Sequence, residues 1–355
     1  MSDLPTSPNL IKQTSDRSEI PFVSRFAESL NSLVPSSVSV VLAVSGGADS
    51  VALLHAWARS RVTHADRIIV ATFDHQLRDD SAADAQFVVE VAAQLGLEFE
   101  VGTPKSPLSS REGRSLDGAA RDARYAFLSE VARRNNAAFV ATAHTANDQV
   151  ETVLHRIMRG TGLQGLAGIS PRRRLAEEID LIRPMLSMNR AEVEAFLSSI
   201  GQEYRNDPTN GDSRFTRNRI RHQLLPTLRA DFNPAVDLAL RRLADLARSV
   251  SEEETRVIQE LTAKVVRERT NEAVYFDRAE LRLLGEYRVM SIIRSVIEQQ
   301  GWPMRRIGMM HLTRIARLCH LERSTRITLP HEMVAFVSKR QGVVGINRPA
   351  SQTEG

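Results

Sequence analysis

Short apolar runs alternate with amphipathic stretches over roughly the first two hundred residues of the chain. The runs predict strands at 38–44, 67–73, 98–102, 137–143 and, with a weaker pattern, 179–182. The stretches between them predict helices at 50–59, 81–95, 116–134 and 148–159. Strands that alternate with helices build βαβ units, so we expect an α/β fold with a doubly wound, mainly parallel sheet.

The pattern changes after about residue 225, where amphipathic stretches follow one another without strands. They predict helices at 235–249, 252–269, 278–299 and 305–318, before a short β-like end with ITLP at 327–330 and VVGI at 343–346. Residues 1–20 are polar and predict a disordered tail. The expected organisation is therefore a tail (1–20), an α/β domain (21–228) and a mostly helical domain (229–355).

Composition narrows the class of protein. Of 355 residues, 42% are hydrophobic and 25% are charged, which is typical of a globular protein. No apolar run approaches the roughly eighteen residues that cross a bilayer, and no signal peptide is evident. The single cysteine, Cys319, can form neither an internal disulfide nor a cysteine-based metal cluster. We therefore expect a cytoplasmic protein with no membrane partner.

The basic residues are unevenly divided between two types. Only four of the 47 Lys and Arg residues are lysines, which leaves 43 arginines in a chain of net charge +4. The planar guanidinium grips phosphate with two bonds and stacks on bases, so this excess favours an RNA-binding protein. The alternative is a genome biased toward arginine codons. The placement of the arginines decides between them.

A glycine loop, SGGADS at 45–50, follows the first predicted strand and opens a helix. Backbone N–H groups and the helix dipole receive anions at such a junction, and Gly46 and Gly47 let a phosphate approach the backbone. The stretch has neither the lysine and spacing of a Walker loop nor the G-x-G-x-x-G pattern. The alternative is a plain strand-to-helix turn, because Gly-Gly pairs are common in turns.

The loop resembles the PP-loop of the ATP pyrophosphatase family, whose members split ATP between its α and β phosphates. The resemblance implies an adenine nucleotide alpha hydrolase-like fold that uses ATP and Mg²⁺. It implies ATP contacts from the loop and from the ends of the second and fourth strands: Ser45, Gly46, Gly47, Ala48, Asp49, Ser50, Phe73, Asp74, His75 and His144. Asp49 would assist Mg²⁺ or the shape of the loop. For His144, a hydrogen-bonded structural role is the alternative.

Four further segments are similar, in the same order, to motifs of the tRNA(Ile)-lysidine synthetase family. They are TFDHQLRDDSAADAQFV at 72–88, ARDARYAFL at 120–128, ATAHTANDQVETVLHRIMRGTGLQGLAGI at 141–169 and NDPTNGDSRFTRNRIRHQLLPTL at 206–228. The resemblance implies ligation of free lysine to C2 of the wobble cytidine of an isoleucine tRNA with a CAU anticodon. ATP would first adenylate the cytidine, and the ε-amino group of lysine would then displace AMP. One position departs from the family, because Asn147 stands where an aspartate is usual.

Two acids in this pattern are candidates for the lysine step. Asp148 and Glu151 are three apart on a predicted helix and therefore share a face. Together they could bind the ammonium of lysine and help to remove its proton. The alternative is a solvated helix face.

Two arginines, Arg121 and Arg124, also lie three apart on one predicted helix. They could grip the α-phosphate or the adenylated cytidine, where negative charge develops during the reaction. The alternative is surface charge along an amphipathic helix.

The segment RFTRNRIR crowds four arginines where the α/β domain is predicted to pass into the helical one. Arg214, Arg217, Arg219 and Arg221 are well placed there to hold a tRNA backbone. The alternative is that they cap helices and pair with carboxylates across the domain boundary.

Three rival functions remain. A PP-loop tRNA thiolation enzyme needs several thiols or an iron–sulfur cluster, and this chain has one cysteine. A free-standing amide synthetase leaves the arginine-rich segment unexplained. A tRNA-binding protein without catalysis has Asn147 as its only support. The sequence leaves the oligomeric state open.

Overall fold

The computed structural model describes residues 21–35, 38–60, 67–76, 81–106, 116–205, 216–338 and 340–348. The predicted tail and Arg214 lie outside these residues. The chain forms two compact units, Met1–Arg248 and Ser249–Gly355. Residues 229–248 therefore belong to the first compact unit, although the sequence predicted a domain boundary at 228.

A six-stranded sheet forms the centre of the first unit, with strand order β3-β2-β1-β4-β6-β5. Its strands are β1 (Ser39–Ala43), β2 (Arg67–Phe73), β3 (Glu98–Gly102), β4 (Phe139–Ala141), β5 (Arg172–Ala176) and β6 (Ile179–Ile182). All pairs are parallel except β5 with β6. The predicted mainly parallel sheet is confirmed. β5 was missed because its sequence, RRRLA, shows no buried apolar run.

Helices cover both faces of this sheet, as a doubly wound fold requires. Those of the first unit are α1 (Pro21–Leu33), α2 (Ala48–Arg59), α3 (Ser81–Gln94), α4 (Leu116–Arg134), α5 (Ala146–Met158), α6 (Leu163–Leu166) and α7 (Arg190–Ser199). On β1, Val40 and Leu42 pack into one core with α2, whereas Val41 packs into another core with Leu128 of α4. Alternate side chains of one strand therefore hold both helical layers.

The carboxyl ends of the parallel strands meet at one edge of the sheet. Ser45 follows β1, Asp74 follows β2, His144 follows β4 and Arg183 follows β6. In open α/β sheets, ligands bind outside this edge, so the fold gathers most of the predicted site residues where a ligand can reach them.

The segment 216–232 is helical but irregular. It consists of α8 (Thr216–Arg219), a π-helical stretch (Ile220–Leu224), α9 (Leu225–Thr227) and a second π-helical stretch (Leu228–Phe232). π-Helical turns change which side chains share a face and occur often at functional sites. Here they place Ile220 and Leu225 in a small core with Val150 of α5.

The long helix α10 (Val236–Val265) passes from the first unit into the second. The second unit also contains α11 (Arg278–Arg282), α12 (Glu286–Gln299) and α13 (Met309–Leu318), and a sheet of β7 (Val266–Arg269), β8 (Ala273–Asp277), β9 (Thr325–Thr328), β10 (Val334–Ser338) and β11 (Val343–Asn347). The sheet is antiparallel with order β7-β8-β11-β10-β9.

The sequence therefore underestimated the strands of the second unit. Residues 266–269 were predicted to be the end of a helix, but they pair with β8 as an edge strand. Their sequence, VRER, has no apolar alternation, so only this pairing defines the strand. Within the described part of the chain, no helix is long and apolar enough to cross a membrane.

Candidate active site

The glycine loop has the geometry of an anion-binding turn. Gly46 adopts a φ of +84°, a conformation that side chains disfavour, and its carbonyl accepts a hydrogen bond from the Arg205 backbone N–H at 2.9 Å. The Ser50 hydroxyl braces the turn, because its oxygen accepts from the Ser45 N–H at 3.1 Å and it donates to the Gly47 carbonyl at 2.8 Å.

The start of α2 is left open by this turn. Gly47 stands at the N-cap and has no side chain that could accept from the first N–H groups of the helix. A Cβ placed on Gly47 would meet only the Ser45 hydroxyl, at 4.0 Å. An anion can therefore approach the backbone at the positive end of the helix dipole.

Asp49, in the first turn of α2, carries an unsatisfied carboxylate oxygen. Its Oδ2 receives Arg190 Nη1 at 3.2 Å, but its Oδ1 is buried with no hydrogen-bond partner among the described residues. The pKa of Asp49 is raised to about 6, mainly by burial; the charge of Asp148 also raises it, while Arg190 and Arg221 lower it. A buried anionic oxygen without a donor is suited to a cation.

Magnesium fits this donor set. No group of three or more His, Cys, Asp or Glu side chains could hold a metal in the part of the chain that the structure describes. Mg²⁺ needs no such group, because it commonly binds through one or two carboxylates, substrate phosphates and water. Asp49 would supply the carboxylate beside the phosphate-binding loop.

A cluster of two acids and two arginines lies at the start of α5. Glu151 is only 2% exposed, and its two oxygens accept from Arg217 Nε at 2.7 Å and Arg221 Nε at 2.5 Å. Asp148 accepts from Arg217 Nη2 at 2.5 Å through Oδ1, while its Oδ2 accepts from the Thr145 backbone N–H at 2.7 Å. Asp148 therefore caps α5 and belongs to the ion-pair cluster.

The geometry of this cluster bears on two predictions. The two acids share a face as predicted, and the alternative of a solvated face is wrong because Glu151 is buried. Arg217 and Arg221 were predicted to hold RNA, with pairing to carboxylates across the domain boundary as the alternative. The structure pairs them with these two acids inside the first unit, and whether they also contact RNA stays a prediction. The helical segment 216–232 brings opposite charges together across about seventy residues of chain. Arg219, on the same segment, is exposed.

His144 lies between acidic and basic groups. Burial lowers its pKa to about 4; Asp148 raises the pKa, while Arg183, Arg217 and Arg121 lower it. The imidazole is therefore neutral at physiological pH. Its Nδ1 shares a hydrogen bond of 3.0 Å with the Thr142 hydroxyl, which fixes the orientation of the ring.

Arg190, which the sequence analysis missed, connects the loop to the acid cluster. Its guanidinium reaches Asp49, and its backbone N–H donates to Asn147 Oδ1 at 2.8 Å. The sequence around Arg190 contains only one recognisable pattern, the capping box of Asn189 and Glu192 that starts α7. Asn147, where the family usually has aspartate, acts in this contact as a simple acceptor, which an amide can do.

Aromatic rings pack together at the end of β2. The Phe73 ring lies 5.0 Å from His75 and 5.4 Å from Phe127. The Asp74 backbone N–H donates to the Gly102 carbonyl at 2.9 Å, and a Cβ on Gly102 would lie 2.5 Å from the Phe127 ring. Burial lowers the pKa of His75. The predicted adenine contacts at 73–75 therefore sit in fixed backbone at the ligand edge, and their role stays a prediction.

The predicted arginines of α4 surround a tyrosine. The guanidinium carbons of Arg121 and Arg124 lie 5.1 Å and 5.4 Å from the centroid of the Tyr125 ring. Arg173 of β5, which the sequence analysis missed, approaches the same ring to 5.3 Å. The alternative of surface charge does not describe Arg124, whose Nε is buried.

The fold and the loop define a PP-loop, ATP-binding class of protein. The family model of the PP-loop domain matches residues 19–228. Among solved structures, a U34-tRNA thiolase from Methanococcus maripaludis with its [4Fe-4S] cluster superposes with a TM-score of 0.54 at 14% identity, covering 64% of this chain and 79% of that chain. At that identity the likeness shows the fold alone.

Curated relatives define the family more closely. A tRNA(Ile)-lysidine synthase from Nostoc sp. is 32% identical over 82% of this chain and 84% of its own length. One from Deinococcus deserti is 42% identical over 69% of this chain, but the match spans only 44% of that relative's length. The chain belongs to the tRNA(Ile)-lysidine synthase family.

The raised pKa of Asp49 predicts a pH-dependent gain of stability in Asp49→Asn. The folded pKa, about 6, lies above the usual 3.8. The carboxylate therefore destabilises the first unit increasingly as pH rises between these values, and fully above about pH 6. At pH 8 we expect the variant to gain roughly 1–3 kcal/mol in free energy of unfolding. The gain should shrink toward zero as the pH falls to 4, when followed by denaturant unfolding. An equal change at both pH values would contradict the assignment.

The ion-pair cluster predicts opposite effects from neighbouring arginines. Arg217→Ala should lower the free energy of unfolding of the first unit by about 1–3 kcal/mol, because buried Glu151 loses one of two partners. The matched control Arg219→Ala removes an exposed side chain and should change it by less than about 0.5 kcal/mol. In tRNA titrations, Arg219→Ala should flatten the salt dependence while Arg217→Ala leaves it unchanged. A flattened salt slope at unchanged stability in Arg217→Ala would restore the RNA-binding role.

Proposed function

We propose that the protein joins free lysine to C2 of the wobble cytidine of an isoleucine tRNA with a CAU anticodon, using ATP and releasing AMP and pyrophosphate. One observation carries the proposal. A glycine loop with an open helix start and an acid pair lie at one sheet edge, close enough for Asp148 to raise the pKa of Asp49. The relatives named tRNA(Ile)-lysidine synthase support it.

The nucleotide half of the reaction belongs to the glycine loop. The open N–H groups at the start of α2 would bind the β and γ phosphates, which leave together as pyrophosphate. Magnesium held at Asp49 would neutralise charge that builds on these phosphates. The C2 oxygen of cytidine attacks the α-phosphorus, the bond to the β-phosphate oxygen breaks, and the cytidine becomes adenylated.

The lysine half belongs to Asp148 and Glu151. The ε-nitrogen must shed a proton before it attacks C2, where the bond to the AMP oxygen breaks. Two carboxylates at a buried edge favour an ammonium ion and offer an acceptor for its proton. Because Arg217 and Arg221 occupy these oxygens, lysine has to share or displace guanidinium contacts as it binds.

The rival reactions have weaker support. Sulfur transfer by the protein's own thiols is disfavoured because Cys319 is the only cysteine. It is buried in the second unit, where its Sγ donates to the Ala316 carbonyl at 2.9 Å. A tRNA-binding protein without catalysis rested on Asn147, and the contact of Asn147 with Arg190 is compatible with an intact site.

The test of the proposed function is the fate of the nucleotide. The full chain, incubated with ATP and Mg²⁺, should release AMP and pyrophosphate in equal amounts when lysine and the tRNA transcript are both present. Without lysine, at most one pyrophosphate per tRNA should be released, and AMP should stay on the adenylated cytidine. Omitting the tRNA measures background hydrolysis. ADP as the product, or AMP release that does not depend on lysine, would contradict the proposal.

The role of the acid pair predicts a substrate-selective defect. Glu151→Gln keeps the shape of the side chain but removes the charge, so KM for lysine should rise at least about tenfold. The KM for ATP should change less than about twofold, because the phosphates bind at another strand end. Initial rates at varied lysine and varied ATP separate the two constants. Equal increases in both constants would indicate a shared site and overturn this assignment.

A further inference from the structure

Four arginines converge on one buried tyrosine at the edge of the sheet beyond β4. We call Arg121, Arg124, Arg173 and Arg183 the Tyr125 arginine group. Three guanidinium carbons lie 5.1–5.4 Å from the centroid of the Tyr125 ring. Arg183 follows β6, and its positive charge lowers the pKa of the Tyr125 phenol, as do the charges of the other three. Burial raises the pKa of Tyr125, but these four positive charges outweigh it, so the pKa lies below its usual value.

Two members of the group have a buried Nε–H donor without a hydrogen-bond partner among the described residues. Arg183 is 4% exposed, its Nη1 donates to the Ser170 carbonyl at 2.5 Å, and its Nε has no partner among the described residues. The Nε of Arg124 is buried and unpartnered in the same way. Burial lowers the pKa of both guanidinium groups. Unsatisfied buried donors are uncommon in folded proteins and call for an explanation.

Neighbouring arginines show that ion pairing was available nearby. Arg172 and Arg174 flank Arg173 on β5, and both reach Asp180, with N–O distances of 2.6 Å and 3.3 Å. Among the side chains that the structure describes, no carboxylate lies within ion-pair distance of the Tyr125 arginine group. The alternation of β5 therefore sends its middle arginine away from the acid and toward the tyrosine. Buried positive charge without a counter-charge is costly unless an anion is bound.

We propose that the Tyr125 arginine group binds a backbone phosphate of the substrate RNA, next to the nucleotide that reacts. The planar forks of several arginines match a phosphate with two bonds each. The proposal rests on the proposed function for the identity of the RNA. The group nevertheless consists of residues at β5, β6 and α4, whereas the ATP phosphates are assigned to the loop after β1.

Two observations favour RNA over ATP as the source of the phosphate. Arg173 is exposed on the edge strand β5, so a bound phosphate can continue into a long chain outside the sheet. The group also lies close to the acid cluster. The charges of Arg183 and Arg121 lower the pKa of His144, while the charge of Asp148 raises it. A phosphate held there would direct the adjoining base toward that cluster.

The test compares three arginine variants. Arg173→Ala and Arg183→Gln each remove one proposed phosphate ligand, and Arg174→Ala is a matched control from the same strand with the same charge change. Binding of an isoleucine tRNA transcript, measured by fluorescence anisotropy without ATP, should weaken at least about tenfold in the first two. The slope of log affinity against log salt should become shallower by about 0.7–0.9 for each phosphate ligand removed. The control should stay within about twofold of the native protein.

ATP binding in the absence of RNA distinguishes the two sources of phosphate. Affinity for a non-hydrolysable ATP analogue should be unchanged in Arg173→Ala and Arg183→Gln. Weakened ATP binding with an unchanged RNA salt slope would assign the group to ATP and overturn the proposal, as would native RNA affinity in both variants. Arg173 is exposed, so Arg173→Ala remains informative if Arg183→Gln fails to fold. Lysidine formation by the native protein is scored separately, so failure of the reaction would not be mistaken for failure of this site.

Discussion

The carboxylate of Glu151 lies where water hardly reaches it, and two arginines from a segment about seventy residues later neutralise it. A buried carboxylate is tolerated only when it is paired, so this contact constrains much of the first unit. It fixes segment 216–232 against α5. It also engages Asp148, which caps α5 and so sets the position where that helix begins. Because the charge of Asp148 raises the pKa of Asp49, the acid pair also influences the ionisation of the glycine loop.

The sheet edge separates charge in a way that suits the proposed reaction. The open helix terminus lies after β1, and the acids follow β4. The Tyr125 arginine group, which has no ion pair with a described carboxylate, lies around β5, β6 and α4. The neutral imidazole of His144 lies between the acidic and basic sets, and both act on its pKa. A cationic amine and two anionic partners can therefore occupy separate places at one edge. In the proposed reaction, the reacting atoms would meet near that imidazole, where fixed dipoles and charges would replace water.

Local sequence signals predicted most of the first unit because its central strands β1, β2, β4 and β6 are largely buried and read as apolar runs. The glycine loop and the acid pair were predictable because each lies within one continuous sequence motif. The partners of Glu151 were not, because Arg217 and Arg221 lie about seventy residues away in the chain, and no local pattern pairs them with this acid. Arg173 was hidden in a strand without apolar residues, and Arg183 and Arg190 lie outside any chemical pattern. The strands around 266–277 were obscured because pairing, rather than local preference, defines them.

The central claim is that the acid cluster and the phosphate loop serve one ligation of lysine to cytidine. Isotope-labelled lysine tests it most directly, in a reaction of the full chain with ATP, Mg²⁺ and the isoleucine tRNA transcript. Nucleosides from the digested RNA would be separated and weighed by mass spectrometry. The account predicts a labelled nucleoside with the mass of cytidine plus lysine less one water, located at the wobble position. Consumption of ATP with all labelled lysine left free, or with label recovered elsewhere in the RNA, would contradict it.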